Sequence, residues 1–381
     1  MFDEKKIVFI NQASGYLTVD IVNSFAKDYD KIILITSPIR IQERELDPKV
    51  KVINTFAHSR VSNFQRILKW ILSTIHIFFL LIFKYRKYEI FYFTLPPLSY
   101  WCSLFLTNKF SILIFDIYPD VLKIYGVKET NIIFKLWSNI NRILFKRAHK
   151  IFTIGDDLAL RIKQYTNRTD ISVINNWSGF SDIMLISKKK NSFIKQYDLK
   201  NKFVIQYAGN VSYTHSVEVL LDLAKNLHDQ KDIIFLIIGR GNHLSYLKNK
   251  KIVEKLNNVK FLPFQSDEVL KYSLSSADLS VVIVGDEVAD ISVPSKIYNL
   301  QALSIPILGI SKRNSELSKH IEKYSMGKCF SSNELNEIAN FIKGLRDDNE
   351  KQIKYQKNSA KAAEEFTYKN ADIYYKEYLR I

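Results

Sequence analysis

FVIQYAGN (203–210), DIIFLIIGRG (232–241), VKFLPF (259–264), LSVVIVG (279–285) and IPILGI (305–310) are short apolar runs that recur through the second half of the chain. Helical spacing follows them. After the first run, Val217, Leu220, Leu221, Ala224 and Leu227 fall on one helix face. Strand-length apolar runs alternating with amphipathic helices predict a parallel sheet covered on both faces, a Rossmann-like domain. The first half repeats the pattern with KIVFINQ (6–12), KIILITS (31–37), KVINTF (51–56), EIFYFT (89–94), SILIFDIYP (111–119), KIFTIG (150–155) and ISVINNW (171–177), and with helical stretches at 17–27 and 132–147. The expected fold class is therefore α/β, with two Rossmann-like domains. The expected boundaries are a first domain at 1–185, a polar, lysine-rich linker at 186–202, a second domain at 203–350, and a tyrosine-rich C-terminal helix at 351–381 that packs back toward the first domain.

The 381 residues are 47% apolar and 25% charged, which is globular composition with length for two domains. Cys102 and Cys329 are too few for a disulfide framework and fit a reducing cytoplasm. The start, MFDEKKIVFI, reads as the lead-in to a first strand and not as a signal peptide. Net charge is +16, and residues 51–150 hold 15 Lys+Arg against 4 Asp+Glu. Charge concentrated in part of one half points to a surface facing something anionic rather than to nucleic acid.

That basic region contains RILKWILSTIHIFFLLIFKYRK (66–87). Its apolar core runs only from Trp70 to Phe83 and includes Ser73, Thr74 and His76, whereas a spanning helix needs ~20 apolar residues. Arg66 and Lys69 flank one end, and Lys84, Arg86 and Lys87 the other. This suits a helix lying on an anionic membrane surface. A buried helix of an α/β domain would look the same, and the regional charge favours the membrane. EIFYFT follows at once and is needed for the sheet, which disfavours a single-pass anchor.

Three loops of the second half have the chemistry to hold phosphates. At Ala208-Gly209-Asn210-Val211-Ser212 a strand hands over to a helix expected from about Thr214, and a glycine lets backbone N–H groups approach a ligand. A plain strand-to-helix turn is the alternative. In IIGRGN (237–242), Arg240 stands between two glycines without the third of a dinucleotide fingerprint, so it is either a phosphate clamp or a solvated arginine. In VPSKIYN (293–299), Pro294 and Ser295 read as a helix start, which puts Lys296 in the first turn against the helix dipole unless an anion is present. Asn299 lies one turn further on the same face. Strand ends of one Rossmann-like domain converge on one crevice, which gathers these loops. The sequence has no P-loop, H-E-x-x-H or G-x-S-x-G. Its D-x-D, Asp28-Tyr29-Asp30, falls at a helix-to-strand turn. His215 near the Gly209 loop is a phosphate partner or an exposed helix-start histidine.

With YAGN (207–210), IGRG (238–241), VKFLPF, SSADLSVVIV (275–284) and above all VPSKIYNLQALSIPIL (293–308), together with LPPLSYW (95–101), FDIYPDVLKIYG (115–126) and INNW (174–177), the chain resembles retaining GT-B glycosyltransferases of the family 4 type. Its resemblance is to the bacterial sugar transferases of capsule, O-antigen and exopolysaccharide assembly. The resemblance implies two domains facing across a cleft. A nucleotide-sugar donor, UDP on family grounds, would be held mainly by the second domain, and a lipid-linked saccharide acceptor mainly by the first. It implies Gly209 and Asn210 at the diphosphate, Arg240 below the nucleotide, Pro263 and Phe264 beside the base, Ser295 and Lys296 on the phosphates and Asn299 at the ribose. Gly15 and Tyr16 match the first-domain loop near the donor phosphates, and Asp116 and Asp120 the acidic region near the acceptor.

Family members commonly carry a Glu-x7-Glu pair, and the matching positions here are Ile291 and Asn299. Asp286, Glu287 and Asp290 lie close enough in sequence to supply a carboxylate. Helix N-termini with Lys296 and Arg240 would stabilise the departing diphosphate without a metal or other cofactor. Asp116 and Asp120, with Lys296, are the catalytic candidates, and each aspartate reads equally as a helix cap or surface charge. The expected place is the cytoplasmic face of the plasma membrane. A sugar-nucleotide epimerase of the same fold and a non-catalytic nucleotide-sugar binder are the rival readings.

Overall fold

A computed structural model of the chain describes residues 4–40, 43–57, 62–212, 216–285 and 294–380. It divides into two compact units: unit 1 is Met1–Ser181 with Tyr368–Ile381, and unit 2 is Asp182–Thr367.

Unit 1 contains strands β1 (Lys6–Asn11), β2 (Lys31–Thr36), β3 (Val50–Asn54), β4 (Glu89–Phe93), β5 (Phe110–Ile114), β6 (Ile151–Thr153) and β7 (Ile171–Val173). They form one parallel sheet in the order β3-β2-β1-β4-β5-β6-β7. The central strands are unbroken apolar runs because both their faces are covered; Ile7 to Ile10, Ile90 to Phe93 and Ile112 to Ile114 are all buried. The helices are α1 (Tyr16–Ser24), α2 (Asn63–Phe83), α3 (Ile132–Arg147) and α4 (Asp156–Ile162).

Helix α2 differs from its expected form. It has 21 residues, and Phe64–Phe83 is long and apolar enough to cross a membrane by length and composition. Two of its polar residues, Ser73 and His76, bond to the domain. Gln12 at the end of β1 donates to Ser73 Oγ at 2.7 Å, and Ser73 in turn donates to the Phe56 carbonyl at 3.1 Å. His76 meets Thr55 Oγ1 at 3.3 Å, whereas Thr74 bonds back to the Trp70 carbonyl of its own helix. Outward, at positions i, i+4, i+7, i+11 and i+15, stand the exposed Phe64, Leu68, Ile71, Ile75 and Phe79. Trp70, Ile77 and Leu81 are buried on the same side as Ser73, so the helix is apolar toward its domain and also apolar toward solvent, where an ordinary surface helix would be polar.

Unit 2 contains β8 (Phe203–Asn210), β9 (Ile233–Arg240), β10 (Val259–Leu262), β11 (Leu279–Ile283), β12 (Ile307–Ile310) and β13 (Gly327–Phe330), parallel and ordered β10-β9-β8-β11-β12-β13. Its helices are α5 (Ser192–Gln196), α6 (Val219–Asn226), α7 (Leu244–Val253), α8 (Asp267–Leu274), α9 (Lys296–Ala302), α10 (Glu316–Tyr324), α11 (Leu335–Asp347) and α12 (Asn349–Ala363).

The stretch expected as a linker is folded into this unit. Phe193, Ile194 and Leu199 are buried against Val204, Leu236 and Ile238 of the sheet, and the polar composition belongs to the outward face alone. The tail is also divided differently from expectation. Helix α12 belongs to unit 2, where Ser359 bonds the Ile305 carbonyl at 2.8 Å. Only α13 (Ala371–Leu379) and its flanks belong to unit 1, where Tyr374 and Tyr378 are buried and Tyr378 donates to Glu89 at 2.8 Å.

INNW has a structural purpose in unit 1. Trp177 is fully buried, and its Nε1 donates to Asp20 Oδ2 at 2.7 Å. Arg44 donates to both oxygens of Asp20, each at 2.7 Å, and reaches the Gly179 carbonyl at 3.1 Å. Removing the carboxylate leaves a half-covered guanidinium uncompensated. Asp20→Ala is therefore expected to lose about 3–5 kcal/mol in urea unfolding followed by tryptophan fluorescence. A loss below about 1 kcal/mol would contradict this role for the cluster.

Candidate active site

The order of unit 2 reverses at β8, which has β9 on one side and β11 on the other. In open α/β sheets the crevice beyond such a reversal is where ligands bind. Gly209 and Asn210 end β8 there. Strand period places Tyr207 and Gly209 on one face of the sheet. The Lys296 ammonium from the start of α9 sits over the Tyr207 ring, 4.1 Å from its centroid. A Cβ on Gly209 would come to 3.3 Å from that ammonium, so glycine keeps the approach open. Tyr207 donates its hydroxyl to the Asn210 carbonyl at 2.7 Å, tying the ring to the loop it underlies.

Lys296 is half-buried, and among the described residues it has no carboxylate within ion-pair distance. Desolvation lowers its pKa to about 7. A desolvated cation with no carboxylate partner among the described residues is disposed to receive an anion. Ser295 is exposed, already helical in backbone and makes no capping bond, and Asn299 is half-buried one turn along α9. Tyr298 of the same motif is core, packed on Phe366 at 4.9 Å between ring centroids.

The second loop joins the first. Asn210 pairs in register with Arg240, and the Val211 N–H bonds the Arg240 carbonyl at 2.9 Å. The two glycines around Arg240 serve packing: a Cβ on Gly239 would stand 1.9 Å from the Gly209 oxygen, and one on Gly241 1.9 Å from the Val211 oxygen. Arg240 is exposed and lies 4.7 Å from the centroid of the exposed Phe264 ring, with Pro263 beside it. Gly209, Asn210, Arg240 and Phe264 thus share the C-terminal edge of the sheet. His243 joins Glu218 at 2.6 Å and bonds the Val211 carbonyl through its own N–H at 3.2 Å. Sequence reading had assigned Tyr207, His243 and Glu218 no place in the site. The alternation of Tyr207 with Gly209 was the available signal for the first; nothing local marks the other two. Asp290, Asp286, Glu287 and His215 lie outside the described residues.

In unit 1, Gly15 precedes α1 at the end of β1, with no atom within 4 Å of a Cβ placed on it, and Tyr16 donates to the Trp177 carbonyl at 3.1 Å. The expected pair of acidic residues separates into two kinds. Asp116 is exposed, yet crowding by surrounding protein raises its pKa, a rise that its contact with solvent tempers. Asp120 is buried, accepts from Tyr165 and pairs with Lys123 at 3.1 Å, with Arg161 at 4.0 Å. Its carboxyl is committed inside unit 1, which corrects the expectation that it faces an acceptor. The D-x-D lies at the opposite end of the sheet, where Asp30 accepts from the Lys5 N–H at 2.9 Å. Among the described residues no group of three or more His, Cys, Asp or Glu is placed to hold a metal ion.

Residues 188–362, all within unit 2, are similar to the family described as Glycosyl transferases group 1. The chain is 24% identical over 236 residues to the probable glycosyltransferase WbjE of Pseudomonas aeruginosa, covering 61% of this chain and 58% of WbjE. It is 28% identical over 151 residues to WcaI of Escherichia coli (strain K12), named for colanic acid biosynthesis, covering 39% of this chain and 37% of WcaI. The matches therefore span little more than half of one relative and about a third of the other. Among solved structures, HepE of Anabaena, crystallised with UDP-glucose, superposes with a TM-score of 0.72 at 16% identity, covering 98% of this chain and 99% of HepE. Sucrose-phosphate synthase of Thermosynechococcus elongatus superposes at 0.75 with 12% identity, covering 98% of each chain. The fold is that of the GT-B glycosyltransferases.

Two measurements check the site's physics. Gly239→Ala forces β8 and β9 apart and is expected to cost about 1–3 kcal/mol in thermal or urea unfolding; an unchanged midpoint would show that the strands do not meet this closely. Lys296 titrates near 7 in the folded protein and at about 10.5 when unfolded, so the unfolded chain holds more protons between those values. Stability should rise with pH across that window, and Lys296→Met should remove this part of the slope. Identical pH profiles for the two proteins would place the ammonium in water.

Proposed function

We propose that the protein is a retaining glycosyltransferase that moves a sugar from a nucleotide-sugar donor, a UDP-sugar, to a lipid-linked saccharide in surface-polysaccharide synthesis. The observation that carries this reading is the Lys296 ammonium, desolvated and without a described carboxylate partner, beside the glycine that ends β8 at the sheet's reversal point. The similarity of unit 2 to that family and the sugar nucleotide held by HepE support it.

Breaking the sugar–phosphate bond builds negative charge on the departing diphosphate. Lys296, the backbone of Gly209 and Asn210, and Arg240 answer that charge, so no metal is required in this reading. Ser295 and Asn299 add polar contacts to phosphate and ribose, and Pro263 and Phe264 flank the base. Gly15 and Tyr16 contribute from unit 1. In a retaining reaction the acceptor hydroxyl attacks on the face that the diphosphate leaves, and its proton passes to the departing phosphate oxygen. Asp116 is the acidic group of unit 1 left to orient that hydroxyl.

The acceptor's lipid places the enzyme at the cytoplasmic face of the membrane. The outward apolar face of α2, with Lys84, Arg86 and Lys87 exposed at its end, supports peripheral attachment there. Its inward bonds from Ser73 and His76 favour a helix that stays with its domain over one that leaves to span the bilayer.

A charge-assisted phosphate contact is worth ~1.5–3 kcal/mol, so Lys296→Ala should weaken UDP binding by about 10- to 150-fold in calorimetry. Above pH 7 the wild-type protein should also take up protons on binding UDP, seen as a dependence of the heat on buffer. Slow release of UDP from one sugar nucleotide of a panel, unchanged by EDTA, is the expected activity. Binding without release across the panel would favour a non-catalytic binder, and unchanged UDP affinity in Lys296→Ala would remove the site.

A further inference from the structure

Helix α3 buries one face deeply: Phe134, Trp137, Ser138, Ile140, Asn141, Leu144 and Phe145 are all covered. Its other face is neither polar nor uniformly charged. Ile132, Leu136 and Ile143 recur at i, i+4 and i+11 and are 79%, 54% and 51% exposed. Lys135, Arg142 and Lys146 run beside this stripe along the helix, all exposed. An apolar stripe bordered by long cationic side chains is the pattern of a helix lying in a bilayer interface, where the stems snorkel and the charges meet headgroups.

Two further observations concern this face. At the C-terminal end of α3, Arg142 and Lys146 line a cavity of about 470 Å³ whose other walls are Gln164 to Arg168, with no carboxylate in its lining. A cationic hollow at the border of an apolar stripe fits the phosphate of a lipid. The placement of α3 beside α2 is the second observation. The segment Ser99–Leu104 lies between them: Trp137 of α3 packs on Trp101 at 5.1 Å and donates to Tyr100 at 2.9 Å, while Cys102 faces the Thr74 carbonyl of α2 at 3.8 Å. Phe105, 76% exposed, adds to the apolar surface of α2, its ring centroid 5.9 Å from that of Phe78.

Basic residues near a helix C-terminus also answer the helix dipole, which accounts for Lys146 and Arg147. It accounts for neither the three exposed aliphatic residues nor Lys135 and Arg142. Asn139, exposed at i+7, interrupts the stripe and accepts from Arg142 at 2.8 Å, yet exposed aliphatic side chains gathered on one helix face mark an interaction site. The regional excess of 15 basic over 4 acidic residues in 51–150 makes the complementary partner anionic.

We propose that α3 is a second membrane-contacting helix, in which Ile132, Leu136 and Ile143 enter an anionic bilayer while Arg142 and Lys146 take a lipid phosphate in the adjoining cavity. This rests on the membrane-surface reading of α2 and extends it from one helix to a two-helix face. Two contacts fix the orientation of unit 1 on the bilayer, where one helix alone would leave it free to roll.

The test is sedimentation of the full-length protein with vesicles of phosphatidylcholine alone or of phosphatidylcholine and phosphatidylglycerol in equal parts. Ile132→Ser/Leu136→Ser/Ile143→Ser and Arg142→Gln/Lys146→Gln are compared with Ile71→Ser/Ile75→Ser on α2, each checked for an unchanged thermal midpoint. Both α3 variants are expected to lose about tenfold or more in partitioning to the anionic vesicles. Loss in the α2 variant with none in the α3 variants would overturn the proposal and leave the membrane reading standing. No partitioning of the wild-type protein to either vesicle would overturn both. Inorganic phosphate supplies the last arm. A rise in thermal midpoint that Arg142→Gln/Lys146→Gln abolishes, with vesicle binding intact in that variant, would assign the cavity to a soluble phosphate and overturn its lipid assignment.

Discussion

A lysine ammonium pressed onto the ring of Tyr207, where Gly209 contributes no side chain, is the contact on which the proposed donor site of unit 2 depends. It requires three conditions together. The strand order must reverse at β8 so that its end opens into a crevice. The start of α9 must point its first residue at that end. The strand next to β8 must come close enough to hold the loop, which Gly239 and Gly241 permit by leaving room for the carbonyls of Gly209 and Val211. Neither glycine needs to touch a ligand. Their effect on a bound diphosphate would pass through the position of the β8 backbone.

Unit 1 solves a different problem. Its sheet is covered on one face by α1 and α13 and elsewhere by α2 and α3, yet α2 and α3 leave aliphatic and aromatic side chains in solvent. In α2 the apolar character extends to both faces: Trp70, Ile77 and Leu81 are buried with Ser73, while phenylalanine and isoleucine also stand in solvent. Keeping such a surface in water is unfavourable by the area it exposes. Its retention beside a cationic border is what the proposed attachment to an anionic bilayer would require.

Much of this was legible in the chain. The alternation of apolar runs with helical spacing gave all thirteen strands save β13, because parallel strands buried on both faces leave an uninterrupted apolar signature; GKCF at 327–330 is too short and too mixed to show one. Lys296 stood out because a cation in the first turn opposes the helix dipole. Contacts distant in sequence were not visible in that way. The burial of Asp120 depends on Tyr165, whose approach no local pattern announces. The 186–202 stretch read as a linker because its lysines outnumber the three apolar residues that anchor it. The outward stripe of α3 was hidden as well: Ile132, Leu136 and Ile143 carry the same helical period as buried residues, and only the fold decides which face the sheet takes.

The last helix of the chain has a bearing on how the protein is made. Tyr374 and Tyr378 fill the interior of unit 1, although 186 residues of unit 2 stand between them and the rest of that unit. Domains usually fold in the order in which a ribosome releases them. Here the amino-terminal sheet emerges first but must wait with an unfilled gap against α1 until residues 371–379 have been made, while unit 2, continuous in sequence, is free to finish before it. The earlier-born half of the protein is thus the later to be completed.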